Sequence, residues 1–247
     1  MRFVGDPGAR IEEDVLRILR FFRFHAWYGK GSADGAALAA CRDRAHTLPG
    51  LSPERVWSEI RRLLMAGDPV PVLEMMRESG VLQQVLPEAG DLGTLDQLVG
   101  IESDLDEDDP LRRLAAILLR GGHQAHDIAA RLHLSNAERD RLATILALEP
   151  QVTPETAPTI WRLALYRIGA AYFRDRVLLG WAGAGAGVDD APWREMLGVA
   201  ADWLPVEMPL RGRDVLDLGV AAGERIGHLL AKAEDWWLAG DLAAGRH

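Results

Sequence analysis

Apolar residues recur along this chain at the spacing of helices. Positions three or four apart share one face of a helix, so a run of such positions predicts an amphipathic helix that packs on one side. The first run predicts a helix over residues 11–28, directly after a turn at "GDPG". Its apolar face consists of Ile11, Val15, Ile18, Leu19 and Phe22.

The rest of the chain carries clear helix start and stop signals. "LPGLSPERVWSEIRRLLMAGDP" places Ser52 as an N-cap and Pro53 at the first helical position. "LSNAERDRL" places Ser135 as an N-cap, and Glu138 completes a capping box. The segment "VLQQVLPE" predicts an apolar turn, and the glycine–alanine run after residue 180 predicts a flexible linker. Further helices are predicted over 36–46, 70–79, 92–103, 110–120, 159–180, 192–202 and 223–240.

No segment has a convincing strand pattern, so the expected fold class is all-α. The chain has 247 residues, of which 48% are apolar and 26% charged, as in a globular protein of one large or two small domains. Its lone Cys41 excludes an internal disulfide framework and a cysteine zinc site. No signal peptide or membrane-spanning run is recognisable, which favours the cytoplasm and no membrane partner.

The net charge of −9 argues against a surface covered with basic residues, although a local basic stripe would still bind nucleic acid. Charged residues are dense on the first predicted helix, among aromatic residues expected in a core: Phe21, Phe22, Phe24 and Trp27. Two interpretations remain open. Glu13, Asp14, Arg17 and Arg20 fall within about a third of the helix circumference, where they could simply pair along an exposed face. Alternatively, an Asp and an Arg side by side present acceptors and donors to the edge of a base.

The segment "RFVGDPGARIEEDVLRILRFFRF" resembles the junction between head and neck in bacterial CCA-adding tRNA nucleotidyltransferases and their poly(A) polymerase relatives. The resemblance continues in "LSPERVWSEIRRLL", "ESGVLQQVLPE", "RLHLSNAERDRL" and the closing "GRDVLDLGVAAGERIGHLLAKAEDWWLAGD". It implies a multi-helix neck, body and tail without a β-sheet head. Residues 1–30 would form a hinge and the start of the neck, 31–180 an RNA-binding neck and body, and 181–247 a helical tail.

The resemblance assigns roles to individual residues. The family's Glu–Asp–x–x–Arg motif falls on Glu13, Asp14 and Arg17. It implies that Asp14 and Arg17 pair with the edge of CTP or ATP while Glu13 orients the arginine. Arg20 and Arg23 match positions that line the nucleotide site.

A second set of matching positions lies in the turn before the motif. Arg2, Gly5 and Asp6 match a flexible turn that lets the site change from C to A. The body and tail would hold the acceptor arm of tRNA.

The sequence lacks the family's metal-binding signature, a Gly-rich segment followed by an Asp–x–Asp pair. We therefore expect no metal or cofactor bound by this chain and no catalytic residue. Mg²⁺ chemistry would then require a head domain, encoded upstream or on a separate chain. Three histidines, His123, His126 and His133, lack the carboxylate spacing of a metal site.

The expected function is thus tRNA 3′-end processing, by a part that binds the tRNA acceptor arm and recognises CTP and ATP but is inactive alone. Two alternatives remain at this point. The chain could be a stand-alone, non-catalytic RNA-binding module of the same ancestry, or a helical scaffold for protein partners.

Overall fold

The computed structural model describes residues 1–118, 125–147, 149, 151–221 and 223–240. The described residues contain helices and no strand, which confirms the all-α prediction. The helices are α1 Pro7–Glu13, α2 Arg17–Tyr28, α3 Gly35–Arg44, a 3₁₀ helix Ala45–Gly50, α4 Pro53–Leu64, α5 Val70–Glu78, α6 Val81–Val85, α7 Gly93–Leu105, α8 Pro110–Leu118, α9 Ala125–Arg131, α10 Asn136–Leu146, α11 Pro158–Ala184, α12 Ala191–Ala201, α13 Gly212–Asp217 and α14 Glu224–Ala239.

The chain divides into two compact units. The first comprises residues 1–148 and 175–190, and the second comprises residues 149–174 and 191–247. The division falls inside α11, where Gly169 has a left-handed φ of 78° and interrupts the helical backbone six residues before the boundary. Glycine adopts this conformation without a Cβ clash, so the residue marks the bend in α11.

The core of the first unit is built from the apolar faces of α2, α4, α7 and α8. Ile18 and Phe22 of α2 are fully buried, as is Leu64 at the end of α4. Burial of such side chains contributes about 1.5 to 3 kcal/mol each. The packing of α2 on α4 therefore fixes the charged face of α2 relative to α4.

A buried guanidinium ties α4 to α8. Arg113 is fully buried and donates to the backbone carbonyls of Leu64 at 2.6 Å and Ala66 at 2.8 Å. Its Nε donates to Glu102 Oε2 at 2.6 Å, and its Nη2 donates to Asp108 Oδ1. These bonds satisfy carbonyls at the C-terminal end of α4, which have no partner within the helix.

Aromatic side chains pack together in the second unit. Trp193 of α12 and Trp237 of α14 are buried, and the ring of Tyr166 packs edge-on against Trp237 at 5.5 Å between centroids. Tyr166 donates its hydroxyl to Glu234 Oε1 at 2.5 Å, which raises the pKa of this tyrosine to about 12. The neighbouring Trp236 is 70% exposed.

Several local predictions are confirmed by the backbone. Pro53 begins α4, and Ser135 and Glu138 form the reciprocal capping box of α10. Ser52 occupies the N-cap position of α4, but its side chain makes no capping hydrogen bond. Cys41 is buried, and burial raises its thiol pKa to about 12.

Other local predictions are wrong. "VLQQV" forms the short helix α6 instead of a turn, and α11 continues through Ala184 into the predicted linker before Gly185 adopts a φ of 65°. The end of the predicted helix 110–120 lies outside the described residues, since α8 is described to Leu118. None of the described helices has both the length and the apolar character needed to cross a bilayer.

Candidate nucleic-acid interface

The turn before α1 is fixed by a helix cap. Asp6 is the N-cap, and its Oδ1 accepts from the backbone N–H of Ala9 at 2.7 Å. Pro7 occupies the first helical position, so the helix begins earlier than the predicted residue 11. Gly5 has a φ of 85°, which favours glycine, and Arg2 is exposed. The hinge role of Arg2, Gly5 and Asp6 stays a prediction.

The predicted single helix over residues 11–28 is wrong, because the chain breaks between α1 and α2. Asp14 is extended, with φ −157° and ψ 106°, and its Oδ1 accepts from the backbone N–H of Leu16 at 3.2 Å. A short polar side chain that bonds its own backbone competes with helix formation. The prediction that Asp14 shares one helix face with Arg17 and Arg20 assumed a continuous helix. It therefore does not hold across residues 14–16.

Glu13 holds Arg17 on one side of this break. Arg17 Nη1 donates to Glu13 Oε2 at 2.6 Å and to the backbone carbonyl of Arg10 at 2.7 Å. Arg10 also donates to the same Glu13 oxygen at 2.6 Å. Bonding to Arg17 and then to Arg10 lowers the pKa of Glu13. Within the described residues, the Nε and Nη2 groups of Arg17 have no hydrogen-bond partner, so this guanidinium keeps donors available.

Asp14 lies between two guanidiniums. Its Oδ1 accepts from Arg55 Nη2 at 3.0 Å, and its Oδ2 lies 3.8 Å from Arg20 Nη1. The Asp14 side chain is 26% exposed, and so is that of Arg17. Asp14 Oδ2 therefore makes only a loose ion pair and can still accept hydrogen bonds from a ligand.

A buried carboxylate supports the two later arginines. Glu59 of α4 is 4% exposed; its Oε1 lies 3.4 Å from Arg20 Nε and its Oε2 lies 3.0 Å from Arg23 Nη1. Glu59 Oε2 makes an ion pair but no well-aligned hydrogen bond, because the angle to the Arg23 guanidinium is poor. The Arg23 side chain is 12% exposed, whereas that of Arg20 is 45% exposed. Arg20 therefore bridges Asp14 and Glu59 at the surface, and Arg23 points inward.

Sequence patterns missed Arg55 and Glu59. Both lie on α4, about 40 residues after their partners on the first two helices. Helical periodicity describes contacts only within one helix, so it contains no signal for this pairing. The apolar face of α4, which packs on α2, is the one feature that places the two side chains nearby.

The described residues contain no cluster of three metal-ligating side chains. His133 Nδ1 lies 2.6 Å from Glu54 Oε1, and His123 lies outside the described residues. The arrangement around Asp14 and Arg17 thus offers hydrogen-bond donors, an acceptor and positive charge. Such groups suit a polar, planar ligand that carries phosphate.

The chain is similar to several known proteins. Residues 34–92 match the family model described as "Probable RNA and SrmB- binding site of polymerase A". The chain is 28% identical to CCA tRNA nucleotidyltransferase 1, mitochondrial, of Danio rerio, over 96% of this chain and 54% of that protein. It is 40% identical to the CCA-adding enzyme of Bordetella pertussis over 37% of this chain and 25% of that enzyme.

Over nearly its whole length, the chain is thus similar to CCA tRNA nucleotidyltransferases. The crystal structure of the Bacillus stearothermophilus CCA-adding enzyme in complex with CTP shares its fold, with a TM-score of 0.76 and 24% identity over 97% of this chain and 61% of that one. The chain spans about half the length of the curated relatives that match most of it.

Proposed function

We propose that this chain is the tRNA-holding and nucleotide-reading part of a tRNA nucleotidyltransferase that processes tRNA 3′ ends. One observation carries the proposal: Glu13 fixes Arg17 through a single nitrogen, while Oδ2 of Asp14, three residues away, makes only a loose ion pair at 3.8 Å. The two side chains that the family motif assigns to base recognition are thereby held in place, yet each retains unused hydrogen-bonding capacity.

The chemistry of the two side chains fits cytosine and adenine. Both bases carry an exocyclic amino group beside a ring nitrogen acceptor. The Asp14 carboxylate accepts from the amino group, and the free donors of Arg17 bond the ring nitrogen. Uracil and guanine carry a carbonyl oxygen where cytosine and adenine carry the amino group, so the carboxylate would repel them.

The remaining arginines supply positive charge beside this edge. Arg20 is the more exposed of the pair on Glu59 and would face the triphosphate or the RNA backbone. Arg23 would support the site from within, since its side chain is nearly buried against Glu59. The helical neck, body and tail would hold the tRNA acceptor arm, in agreement with the RNA-binding description of the model that matches residues 34–92.

Phosphoryl transfer is assigned to a head domain outside these 247 residues. The family's two metal ions need closely spaced carboxylates, which the resemblance places in the head domain. The side chains here therefore bind and orient the nucleotide, and no chemical step is assigned to them. CTP, ATP and the tRNA acceptor arm are the proposed ligands, with a head domain as the proposed partner.

Binding of RNA and nucleotide by the isolated chain tests the proposal. A labelled tRNA lacking its CCA end should bind more tightly than an RNA duplex without an acceptor end, as measured by fluorescence anisotropy. Labelled CTP should not be incorporated by the isolated chain. Incorporation would contradict the assignment of phosphoryl transfer to a separate head domain. Equal affinity for both RNAs would instead favour a general RNA-binding module.

A further inference from the structure

A second surface of the first unit carries exposed aromatic rings beside basic side chains. Phe24, Trp27 and Tyr28 lie at positions i, i+3 and i+4 of α2, so they share one helix face. They are 40%, 48% and 68% exposed, respectively, so the expectation that Phe24 and Trp27 belong to the core is wrong. Three exposed rings on adjacent turns form an apolar patch of the kind that marks binding sites.

The orientation of Trp27 is fixed by α4. Its indole N–H donates to the backbone carbonyl of Arg62 at 2.7 Å. This carbonyl lies in the last turn of α4, where the helix itself provides no donor. The bond explains why Trp27 stays at the surface. The bond does not explain why Phe24 and Tyr28 are exposed, since neither side chain makes a hydrogen bond to a described residue.

Ring faces remain accessible to a ligand on Trp27, on Tyr28 and on one side of Phe24. The Tyr28 ring is tilted by 32° from Phe24 and by 41° from Trp27, with centroids 6.2 and 6.5 Å apart. Parallel stacking among the three rings is therefore absent. One face of Phe24 is covered by the Arg23 guanidinium, whose Cζ lies 4.3 Å from the ring centroid.

Positive charge borders the rings on the α4 side. Arg61 and Arg62 are exposed, and neither makes an ion pair with a described residue. Two shallow cavities meet here. The first cavity has a volume of about 270 Å³ and is lined by Tyr28. The second has a volume of about 330 Å³ and is lined by Arg61. Trp27 and Arg62 line both cavities.

Glu54 is the single acidic side chain among the residues that line these two cavities. It lies 2.6 Å from His133 Nδ1. Arg61 acts on Glu138 only through space, by charge. The surface therefore combines flat apolar rings with guanidiniums that make no direct ion pair to a described residue. This composition favours a ligand that has both aromatic faces and negative charge.

We propose that Phe24, Trp27 and Tyr28, together with Arg61 and Arg62, form a platform for unpaired RNA nucleotides. Bases stack on the rings, and phosphates lie against the two guanidiniums. An acidic peptide would satisfy the charges but leave the ring faces without a matching partner, so single-stranded RNA fits better. The inference rests on the proposed RNA-binding function and adds a single-strand site distinct from the edge at Asp14 and Arg17.

The test uses the double variants Phe24→Ala/Tyr28→Ala and Arg61→Ala/Arg62→Ala of the full chain, with labelled oligoadenylate as the probe. Trp27 is left unchanged because it caps α4. Trp236→Ala is the control for loss of an exposed aromatic ring, and Arg77→Ala/Arg139→Ala is the control for loss of surface positive charge. Circular dichroism confirms that each variant is folded.

The aromatic variant should lose about tenfold in affinity for oligoadenylate. The arginine variant should bind more weakly with a salt dependence reduced by about 1.4 in log–log slope, since two phosphate contacts are lost. Both controls should retain wild-type affinity. A folded aromatic variant with unchanged affinity for oligoadenylate would overturn the platform, and a surface for protein partners would then be the better explanation.

The experiment distinguishes failure of the platform from failure of the proposed function in tRNA 3′-end processing. Affinity for tRNA lacking its CCA end is measured on the same variants and reports the proposed function. If wild-type protein prefers tRNA but the aromatic variant binds oligoadenylate normally, the platform alone fails. If wild-type protein binds oligoadenylate through these rings without preferring tRNA, the platform stands and the proposed function fails.

Discussion

Glu59 Oε2 lies 3.0 Å from Arg23 Nη1, and the second oxygen of this buried carboxylate faces Arg20. One acid on α4 thus holds two arginines that the family motif places at the nucleotide site. Substitution of one partner in a buried pair leaves the other charge without compensation. The position of α4 against α2 therefore controls the shape of the candidate site.

Glu59→Gln should lower the free energy of unfolding by about 1 to 3 kcal/mol, because Arg23 loses its buried counter-charge. Urea denaturation measures this change. Glu78→Gln, at an exposed position on α5, is the control and should have little effect. In a double-mutant cycle with Arg23→Met, the two losses should be less than additive. Strict additivity would show that the pair contributes nothing to stability.

Gly29→Ala should destabilise the first unit by about 1 to 3 kcal/mol through overpacking. A Cβ at this position would lie 2.3 Å from His25 Nδ1 and 2.5 Å from the His25 carbonyl oxygen. Thermal unfolding followed by circular dichroism is the measurement. Gly100→Ala is the matched control, since open space surrounds that position. Equal melting temperatures for the two variants would contradict the predicted clash.

Arg113→Met should lower the free energy of unfolding by about 3 to 5 kcal/mol, because Glu102 is left buried without one of its two guanidinium partners. Arg113→Lys should recover little, since a single ammonium cannot reproduce the planar fork that reaches Glu102 and two backbone carbonyls. Urea denaturation again gives the values. Arg139→Met, on the exposed face of α10, should change stability by less than about 0.5 kcal/mol. Near-wild-type stability of Arg113→Met would show that this cluster is dispensable.

The stability of the fold should depend on pH through His25. Burial lowers its pKa below the ordinary value of 6.5, and its Nδ1 has no hydrogen-bond partner among the described residues. Between the two pKa values the unfolded chain binds more protons than the folded chain, so stability rises with pH. Stability should therefore be lost as pH falls below about 6.5.

The substitution His25→Phe should flatten this dependence in denaturation curves recorded across the acidic range. Phenylalanine removes the titration and keeps a ring beside Phe21, whose ring lies parallel to that of His25 at 6.4 Å between centroids. His46→Gln is the control, because His46 is exposed. A pH dependence unchanged in His25→Phe would assign the effect to another group.

Features set by local sequence were predictable. The capping box at Ser135 and the start of α4 at Pro53 depend on residues within one turn of each other. The break at Asp14 was not predictable, because residues on both sides favour helix and the decisive bond joins the Asp14 side chain to the backbone N–H of Leu16. Periodicity also could not distinguish the exposed Trp27 from a core residue, since the carbonyl that holds it lies 35 residues away.

The candidate site likewise combines features set by local sequence with contacts that depend on tertiary packing. The family motif identified Glu13, Asp14 and Arg17, and the contact between Glu13 and Arg17 joins residues only four positions apart. The pairings of Asp14 with Arg55 and of Arg23 with Glu59 depend on the packing of separate helices. Such contacts follow from tertiary structure, and a single sequence does not contain them in readable form.

The base-reading role of Asp14 and Arg17 is the central claim, and nucleotide selectivity tests it most directly. The 247 residues are joined to the head domain of a bacterial CCA-adding enzyme, and kcat/KM is measured for CTP, ATP and UTP with tRNA lacking its CCA end. Asp14→Ala and Arg17→Ala should each reduce the preference for CTP over UTP by about tenfold or more, with tRNA affinity nearly unchanged. Glu12→Ala, which removes an exposed acid of α1, should keep wild-type selectivity. Normal discrimination against UTP by both the Asp14 and Arg17 variants would contradict the account.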